Sequence, residues 1–465
     1  MRLLFRPAPR AAIVLLGLLS AGLVATPAAR ADRAAEAESL YQRSIALEAR
    51  GTIEGRRDAM ACLERATSVA PDRSDLQIAL GRLYYTMGFL KQAKRRYQKV
   101  ERQNANDPDA RFGIAQVWRR DWLKYLDRVS LGKAVDQFTA VTRLRPGDAE
   151  AWLQLVPLLV ERNELAAAGT AADRAMGAAP GRPETQLAVA YTSYRLGRIG
   201  RAESTFVAAI PRLPRLARER FEDIAPVASE EDTFTLRRLP PSERPEFLRR
   251  FWREHDPDLA SRENEAQLEY WSRVAHAYFL FFNARRREWD ERGEVYVRYG
   301  PPESADYNPL NLPSVQMFGT GPAYPLNSLV WSYPSLGMQV VMQDRTLNEY
   351  YLLPVSMIED MDPHPSPEVL ALRGDLMSSR GGRGVFPLLP PGAVPRPADG
   401  VLVRFSGQHG PRLYGEIETA GSPDDTLRAE WVVLDSAMRE VARADKVPGV
   451  SGCDPTTLRS ADFAA

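Results

Sequence analysis

From residue 40 to residue 214 apolar positions recur at three- and four-residue steps, the spacing of helices with one buried face. One set of positions returns along this stretch. A small residue is followed four places later by a bulky one, three further on by a small or branched one, and often by a proline five beyond that. The register reads Ala59, Leu63, Ala66, Pro71; Ala93, Tyr97, Val100; Ala134, Phe138, Val141, Pro146; Ala168, Ala172, Ala175, Pro180; and Ala202, Phe206, Ala209, Pro214. The leading alanines stand 34, 41, 34 and 34 residues apart. Small residues let two antiparallel helices approach, the bulky residue fills the space left, and proline ends the unit. A single pair of helices cannot bury its apolar face alone, so such units stack. The seven extra residues of the long interval fall between Trp118 and Leu131, where they lengthen a turn or its flanking helices.

The helix before each set has its own signature: Leu80-Gly81 with Tyr84, Ile114-Ala115 with Trp118, Trp152 with Leu155 and Leu159, and Leu196-Gly197 before Ala202. Together these residues resemble the tetratricopeptide repeat, with five units over residues 35–214, the first being the weakest match. The resemblance implies that the first helix of each unit lines a concave face. Carried over by register, that face holds Arg82, Tyr85, Gln116, Arg119, Arg120, Leu153, Val160, Tyr191, Tyr194 and Arg195. A basic and aromatic groove of this kind suits a protein or peptide ligand with acidic or aromatic residues. The same positions also read as an ordinary solvated face.

Leu239-Pro240-Pro241 marks a junction, and a new helical region starts near Ser242. Three motifs follow in order. The first runs from Arg250 to Asp258 and includes Phe251, Trp252, Asp256 and Pro257. The second holds Asn264, Glu265 and Arg273; the third runs from Trp289 through Arg292-Gly293 to Tyr299-Gly300-Pro301-Pro302. Their order resembles the GWxTD domain, a module of exported bacterial proteins, and places it at residues 220–358. The resemblance implies an architecture and a habitat but no established reaction. Asp290 stands where the family has threonine, and Arg287 where it has glycine.

Read from the residues, Glu263 to Arg287 is an amphipathic helix with Leu268, Trp271, Ala275, Phe279 and Phe282 on one face. Glu294 to Tyr299 alternates and reads as a half-buried strand ended by Gly300-Pro301-Pro302. Leu329–Tyr333 and Met338–Gln343 read as strands about a hairpin turn at 335–337, and Asn348–Leu353 as a further strand, giving a small α+β domain.

His255, Asp256 and Glu265 are the candidates for acid–base chemistry, with His276 near Glu269 and Arg273 as a second place to look. Asp256-Pro257-Asp258 reads equally as a turn with capping aspartates, and His276 as a core histidine in an aromatic helix. No second histidine lies three to five residues from either, and no nucleophile elbow or phosphate loop appears. Arg253, Asp256, Glu265 and Arg273 are expected to form one ion-pair network. No metal and no cofactor is expected.

Residues 359–400 are rich in proline and glycine and read as a linker. Strand-like stretches at Val401–Ser406, Arg412–Thr419, Leu427–Leu434 and Glu440–Arg443 then give a β-sandwich-like C-terminal segment, 401–465, shorter than the roughly 100 residues such a sandwich uses. The fold class is therefore multidomain: an all-α repeat solenoid, an α+β domain, and a β-rich end.

Lys+Arg 61 against Asp+Glu 60 leaves +1, which supplies no global attraction for nucleic acid. Two cysteines, Cys62 and Cys453, make no disulfide scaffold. Arg2, Arg6 and Arg10, the apolar run Ala11–Ala25, and Ala29-Arg30-Ala31 have the layout of a signal peptide over residues 1–31. The chain is therefore expected to be exported, periplasmic or secreted, with no stable membrane span after cleavage. The function expected is a non-enzymatic protein-interaction scaffold; the alternative is an extracytoplasmic hydrolase or carbohydrate-active module centred on residues 220–358.

Overall fold

The computed structural model describes residues 27–259, 261–283, 288–308, 327–334, 338–344, 349–353, 398–407, 410–420, 429–435, 438–446, 449–450 and 458–464. The apolar run of the expected signal, residues 359–397 of the expected linker, the 335–337 turn and Cys453 lie outside these residues, and residues 398–400 of that linker belong to a strand. No described helix is long and apolar enough to cross a membrane. The chain divides into two compact units, Met1–Gln103 and Asn104–Ala465.

The first unit contains α1 (Pro27–Glu48), α2 (Ile53–Val69), α3 (Ser74–Thr86) and α4 (Leu90–Gln103), packed as the hairpins α1–α2 and α3–α4. Thr52 caps α2 by accepting the Gly55 N–H at 2.9 Å, which satisfies one of the unpaired donors of the first turn. The repeat positions Ala59, Leu63, Ala66, Ala93, Tyr97 and Val100 are all at most 2% exposed. Gly81 is required at the α3–α4 crossing: a methyl group there would stand 2.7 Å from the Tyr97 ring.

The second unit opens with three more hairpins, built from α5 (Pro108–Tyr125), α6 (Arg128–Leu144), α7 (Ala149–Glu161), α8 (Leu165–Ala178), α9 (Pro183–Arg195) and α10 (Ile199–Ala209). The hairpins have the tetratricopeptide-like form, and Ala134, Phe138, Val141, Ala168, Ala172, Ala175, Ala202, Phe206 and Ala209 are fully buried. Of the seven extra residues, five lengthen α5 to 18 residues, against 13 in α7 and α9, and the rest are taken up by the turn and the longer α6, 17 residues against 14 in α8. Asp107 caps the start of α5. Leu126 ends it in the left-handed conformation at φ 52°, and Asp127 caps α6 at once.

Beyond Pro214 the repeat register stops but the helices do not. Short helices α11 (Arg215–Glu222) and α12 (Glu230–Arg238) precede α13 (Arg244–Glu254), and α14 runs from Glu265 to Phe281, ending before the Arg287 expected from the sequence. Strands β1 (Phe282–Asn283) and β2 (Glu288–Trp289) pair antiparallel. Residues 294–299 are not a strand. They belong to α15 (Glu291–Tyr299), whose start is capped by Asp290 and whose end is turned by Gly300 at φ +80°. The reason is burial on every side: Val295, Tyr296, Val297 and Arg298 are all at most 5% exposed, so the alternation carried no information about an exposed face.

A three-stranded antiparallel sheet follows in the order β3 (Ser304–Tyr307), β4 (Ser328–Tyr333), β5 (Met338–Gln343), with Val330 opposite Val341. Within 348–353, Leu352 makes a single bridge to Gln343 rather than a further strand. The C-terminal strands are β6 (Ala398–Gly407), β7 (Gly410–Ala420), β8 (Ala429–Leu434), β9 (Glu440–Lys446), β10 (Gly449–Val450) and β11 (Leu458–Ala464). They make a four-stranded sheet ordered β10-β11-β7-β6 and the separate pair β8-β9. Trp431 of β8 lies directly on Gly415 of β7, a position only a residue without a side chain leaves open. One hydrophobic core runs from the hairpins of the second unit through α11, α13 and α14 to Trp289 and Val297.

Candidate functional site

Helix α9 presents Tyr191 and Tyr194 on its inner side, and α14 packs across α7 and α9 there. Both tyrosines are buried, at 0% and 1% exposure. Tyr191 donates its O–H to His276 Nδ1 at 2.8 Å, while His276 Nε2 lies 3.3 Å from Glu161 Oε1 at the end of α7. A neutral imidazole with its proton on Nε2 satisfies both partners. Burial, reinforced by Arg195, holds the His276 pKa well below its ordinary value. The ring also stacks on Tyr296 of α15, centroid to centroid 3.8 Å. Glu161 keeps 31% of its side-chain surface open, yet burial pushes its carboxyl up to about 7 against the pull of Arg195 and Arg128.

The predicted groove is therefore filled, over this unit, by the chain's own α14. Leu153 and Val160 are buried, and Arg195 is half-buried near Tyr191, Tyr296 and Glu269. Arg119 donates to the Phe279 carbonyl at 2.7 Å and Arg120 pairs with Glu349. Gln116 is half-buried. In the first unit Arg82 is exposed and Tyr85 half-buried. The physical cause is the apolar stripe of α14, which needs a surface to bury it, and the repeat register gives no sign of which segment fills the groove.

The lengthened end of α5 is the seat of α15 and its sheet. Arg292 donates to the Leu123 carbonyl at 3.0 Å, the Tyr351 hydroxyl to the Lys124 carbonyl at 3.1 Å, and Tyr125 meets Tyr307 edge to face at 5.2 Å. Arg292 is itself clamped by Asp290, with Nη2 to Oδ2 at 2.8 Å, and lies over the Tyr351 ring at 4.4 Å. Between these elements a half-open cavity of about 70 Å³ is lined by Trp122, Leu126, Glu161, His276, Tyr296 and Trp331, among others. At roughly 30 Å³ per water it has room for about two.

The motif residues are joints of this assembly. Trp289 folds over Gly293, where a methyl group would stand 2.5 Å from its ring. Arg273 pairs with Glu269 at 2.6 Å and donates to the Arg298 carbonyl at 3.1 Å, and Gly300 faces its guanidinium. The Tyr333 hydroxyl donates to the Gly300 carbonyl at 3.1 Å, and Tyr299 packs on the Tyr333 ring at 5.9 Å, which fixes the turn that continues into Pro301.

At the turn from α13 to α14, Asn264 accepts from the Gln267 N–H at 2.8 Å and donates to the Trp252 carbonyl at 2.6 Å. Phe251 and Trp252 are buried, and the turn passes through Pro257. The expected four-residue ion-pair network is instead two clusters, Arg253–Asp256 beside Glu265, and Arg273–Glu269.

Asp256 and Glu265 adjoin in this turn, and each of the three candidates makes a local hydrogen bond. His255 Nδ1 donates to the Phe251 carbonyl of its own helix at 2.8 Å. Asp256 accepts from the Asp258 N–H at 3.2 Å and lies 3.3 Å from Arg253, and burial together with the adjoining Glu265 carboxyl raises it to about 7. Glu265 accepts the Ser261 hydroxyl at 2.6 Å. Among the described residues no group of three or more His, Cys, Asp or Glu is placed to hold a metal ion. The sequence did not point to Glu161, whose only signal was an acidic residue closing the apolar run of residues 155–160.

No protein-family model matches the chain, and no curated protein matches it. The likeness of residues 220–358 to the GWxTD domain thus rests on its motifs. Among solved structures, a tetratricopeptide protein of Thermus thermophilus is 17% identical, covers 38% of this chain and 92% of its own, and superposes with a TM-score of 0.33. PilF of Pseudomonas aeruginosa is 15% identical over 42% of this chain and 83% of its own, with a TM-score of 0.36. YrrB, described as a tetratricopeptide protein with an unusual peptide-binding site, is 16% identical over 40% and 92%, with a TM-score of 0.32.

Proposed function

We propose that the chain is a non-enzymatic interaction scaffold that works outside the cytoplasm, in which repeat hairpins grip polypeptide and residues 220–358 form a GWxTD-type module. One observation carries the reading: the inner face of α7 and α9 holds a polypeptide helix, α14, through Tyr191, Tyr194 and the Tyr191–His276 hydrogen bond. That surface is consumed within the chain. The α3 face, with Arg82 exposed and Tyr85 half-buried, suits a segment with acidic or aromatic residues. Export is supported by the layout of residues 1–31. No observed arrangement of His255, Asp256 and Glu265 favours the hydrolytic alternative.

The test is an array of acidic and aromatic peptides offered to the full chain and to the Arg82→Glu/Tyr85→Ala variant. Retained peptides should be lost from the variant while its thermal transition stays in place. An unchanged set of retained peptides would refute the role of α3.

A further inference from the structure

Helix α4 departs from the charge pattern of its neighbours. It carries Lys91, Lys94, Arg95, Arg96, Lys99 and Arg102 against a single acid, Glu101. Ala93, Tyr97 and Val100 are buried toward α3, with Tyr97 on Gly81. At about 100° per residue, Lys91, Arg95, Lys99 and Arg102 fall on one stripe opposite that buried row, over about 16 Å of helix. Lys91, Arg95 and Arg102 are exposed and Lys99 is half-buried. No ion pair reaches any of the four among the described residues.

Elsewhere exposed helices place an acid within one turn of the cation, as in Arg215–Glu219 at 2.7 Å and Arg250–Glu254 at 3.5 Å. On α4 the four-residue neighbours Lys91–Arg95 and Arg95–Lys99 are like charges, which destabilise a helix, and Lys91 sits in the first turn, where the helix dipole disfavours a cation. A pattern that costs helix stability, with no ion pair to offset it among the described residues, calls for an external anion.

We propose that this stripe is a docking surface for an acidic polypeptide segment that presents a carboxylate about every 6 Å, the step between successive cations of the stripe. It rests on the reading of the chain as a partner-binding protein, but uses the side of α4 turned away from α3, and so away from Arg82 and Tyr85. An anionic membrane fits less well, because the apolar side of α4 is spent on α3 and the stripe offers nothing to insert. Nucleic acid fits less well too, since the stripe has no aromatic platform and the chain as a whole is +1.

The test uses the full chain and a fluorescent alanine-rich helical peptide with glutamates at positions 1, 5, 9 and 12, beside a scrambled peptide of equal charge. Anisotropy should report binding that weakens with salt, that is at least about tenfold weaker for the scrambled peptide, and that is lost in K91E/R95E/K99E/R102E. A milder R95E variant, matched by circular dichroism to the parent, should lose about half of the binding signal or more. R82E/Y85A should leave it unchanged, so failure of the α3 reading and failure of this one are told apart. Equal binding of both peptides, unchanged binding by R95E, or stronger binding to phosphatidylglycerol vesicles or duplex DNA than to the peptide would overturn the proposal.

Discussion

His276 lies flat on Tyr296, with ring planes 9° apart, and the two rings tie α14 to α15. Because His276 also bonds Tyr191 and Glu161, one side chain joins four helices. Replacing it with alanine removes the stack, opens a hole, and leaves the buried Tyr191 hydroxyl without its acceptor. We expect His276→Ala to cost about 2–4 kcal/mol in urea unfolding of the full chain. A loss below about 0.5 kcal/mol would show that the ring is not a joint.

Glu161 sets the sign of a pH effect. Its folded value of about 7 lies above the 4.5 of the unfolded chain, so the folded state holds a proton that unfolding releases. Stability from this group is present below about pH 4.5 and is lost as pH rises through 7. Asp256 and Glu291, both raised to about 7 chiefly by burial, act in the same sense. His276, with its lowered value, opposes them below its unfolded 6.5. Glu161→Gln keeps an acceptor for His276 and removes one titration. Its stability relative to the parent should climb between pH 5 and 7 and then level off; a parallel pair of curves would refute the assignment.

Arg119 and Arg120 belong to the interior joint rather than to an open groove. Charge reversal at both should lower the thermal midpoint, where an open-groove role would leave it in place. A double-mutant cycle of Arg120→Ala with Glu349→Ala should give a coupling of about 0.5–1 kcal/mol, as expected for a partly exposed pair. Zero coupling would break the link between α5 and the segment that carries Glu349.

Gly300 is held at φ +80° with a would-be methyl group 3.1 Å from the Arg273 guanidinium carbon. Gly300→Ala should destabilise by about 1–3 kcal/mol through backbone strain and displacement of Arg273. Gly197, also at positive φ but with open space around it, isolates the backbone part: Gly197→Ala should cost less. Equal costs would show that Arg273 plays no part.

The array of hairpins was legible because its crossings need small residues at a fixed interval, and Ala59, Ala93, Ala134, Ala168 and Ala202 are all at 0% exposure. Strands β4 and β5 were legible for a similar reason, their apolar runs being short and bounded. Helix α15 was not, because burial on all sides erases the difference between a period of 2 and one of 3.6. The site was half legible. His276 read as a core histidine and is one, but Tyr191 lies 85 residues away from it in sequence, and no local pattern announces a contact at that range.

Removing residues 119–125 would restore the 34-residue interval between Ala93 and Ala134. The hairpins should then keep their helical circular dichroism, while residues 289–308, which hold α15 and β3, become accessible to limited proteolysis. Protection equal to that of the parent would mean that α5 is dispensable as a mount.

The insertion makes α5 five residues, about 7.5 Å, longer than α7 or α9. What looks, to anyone counting repeats, like a slip in the rhythm is a bracket: its carbonyls at Leu123 and Lys124 are the bolts for Arg292 and Tyr351. Trimming the bracket would leave α15 without its fastening and turn a fixed mount into a hanging one.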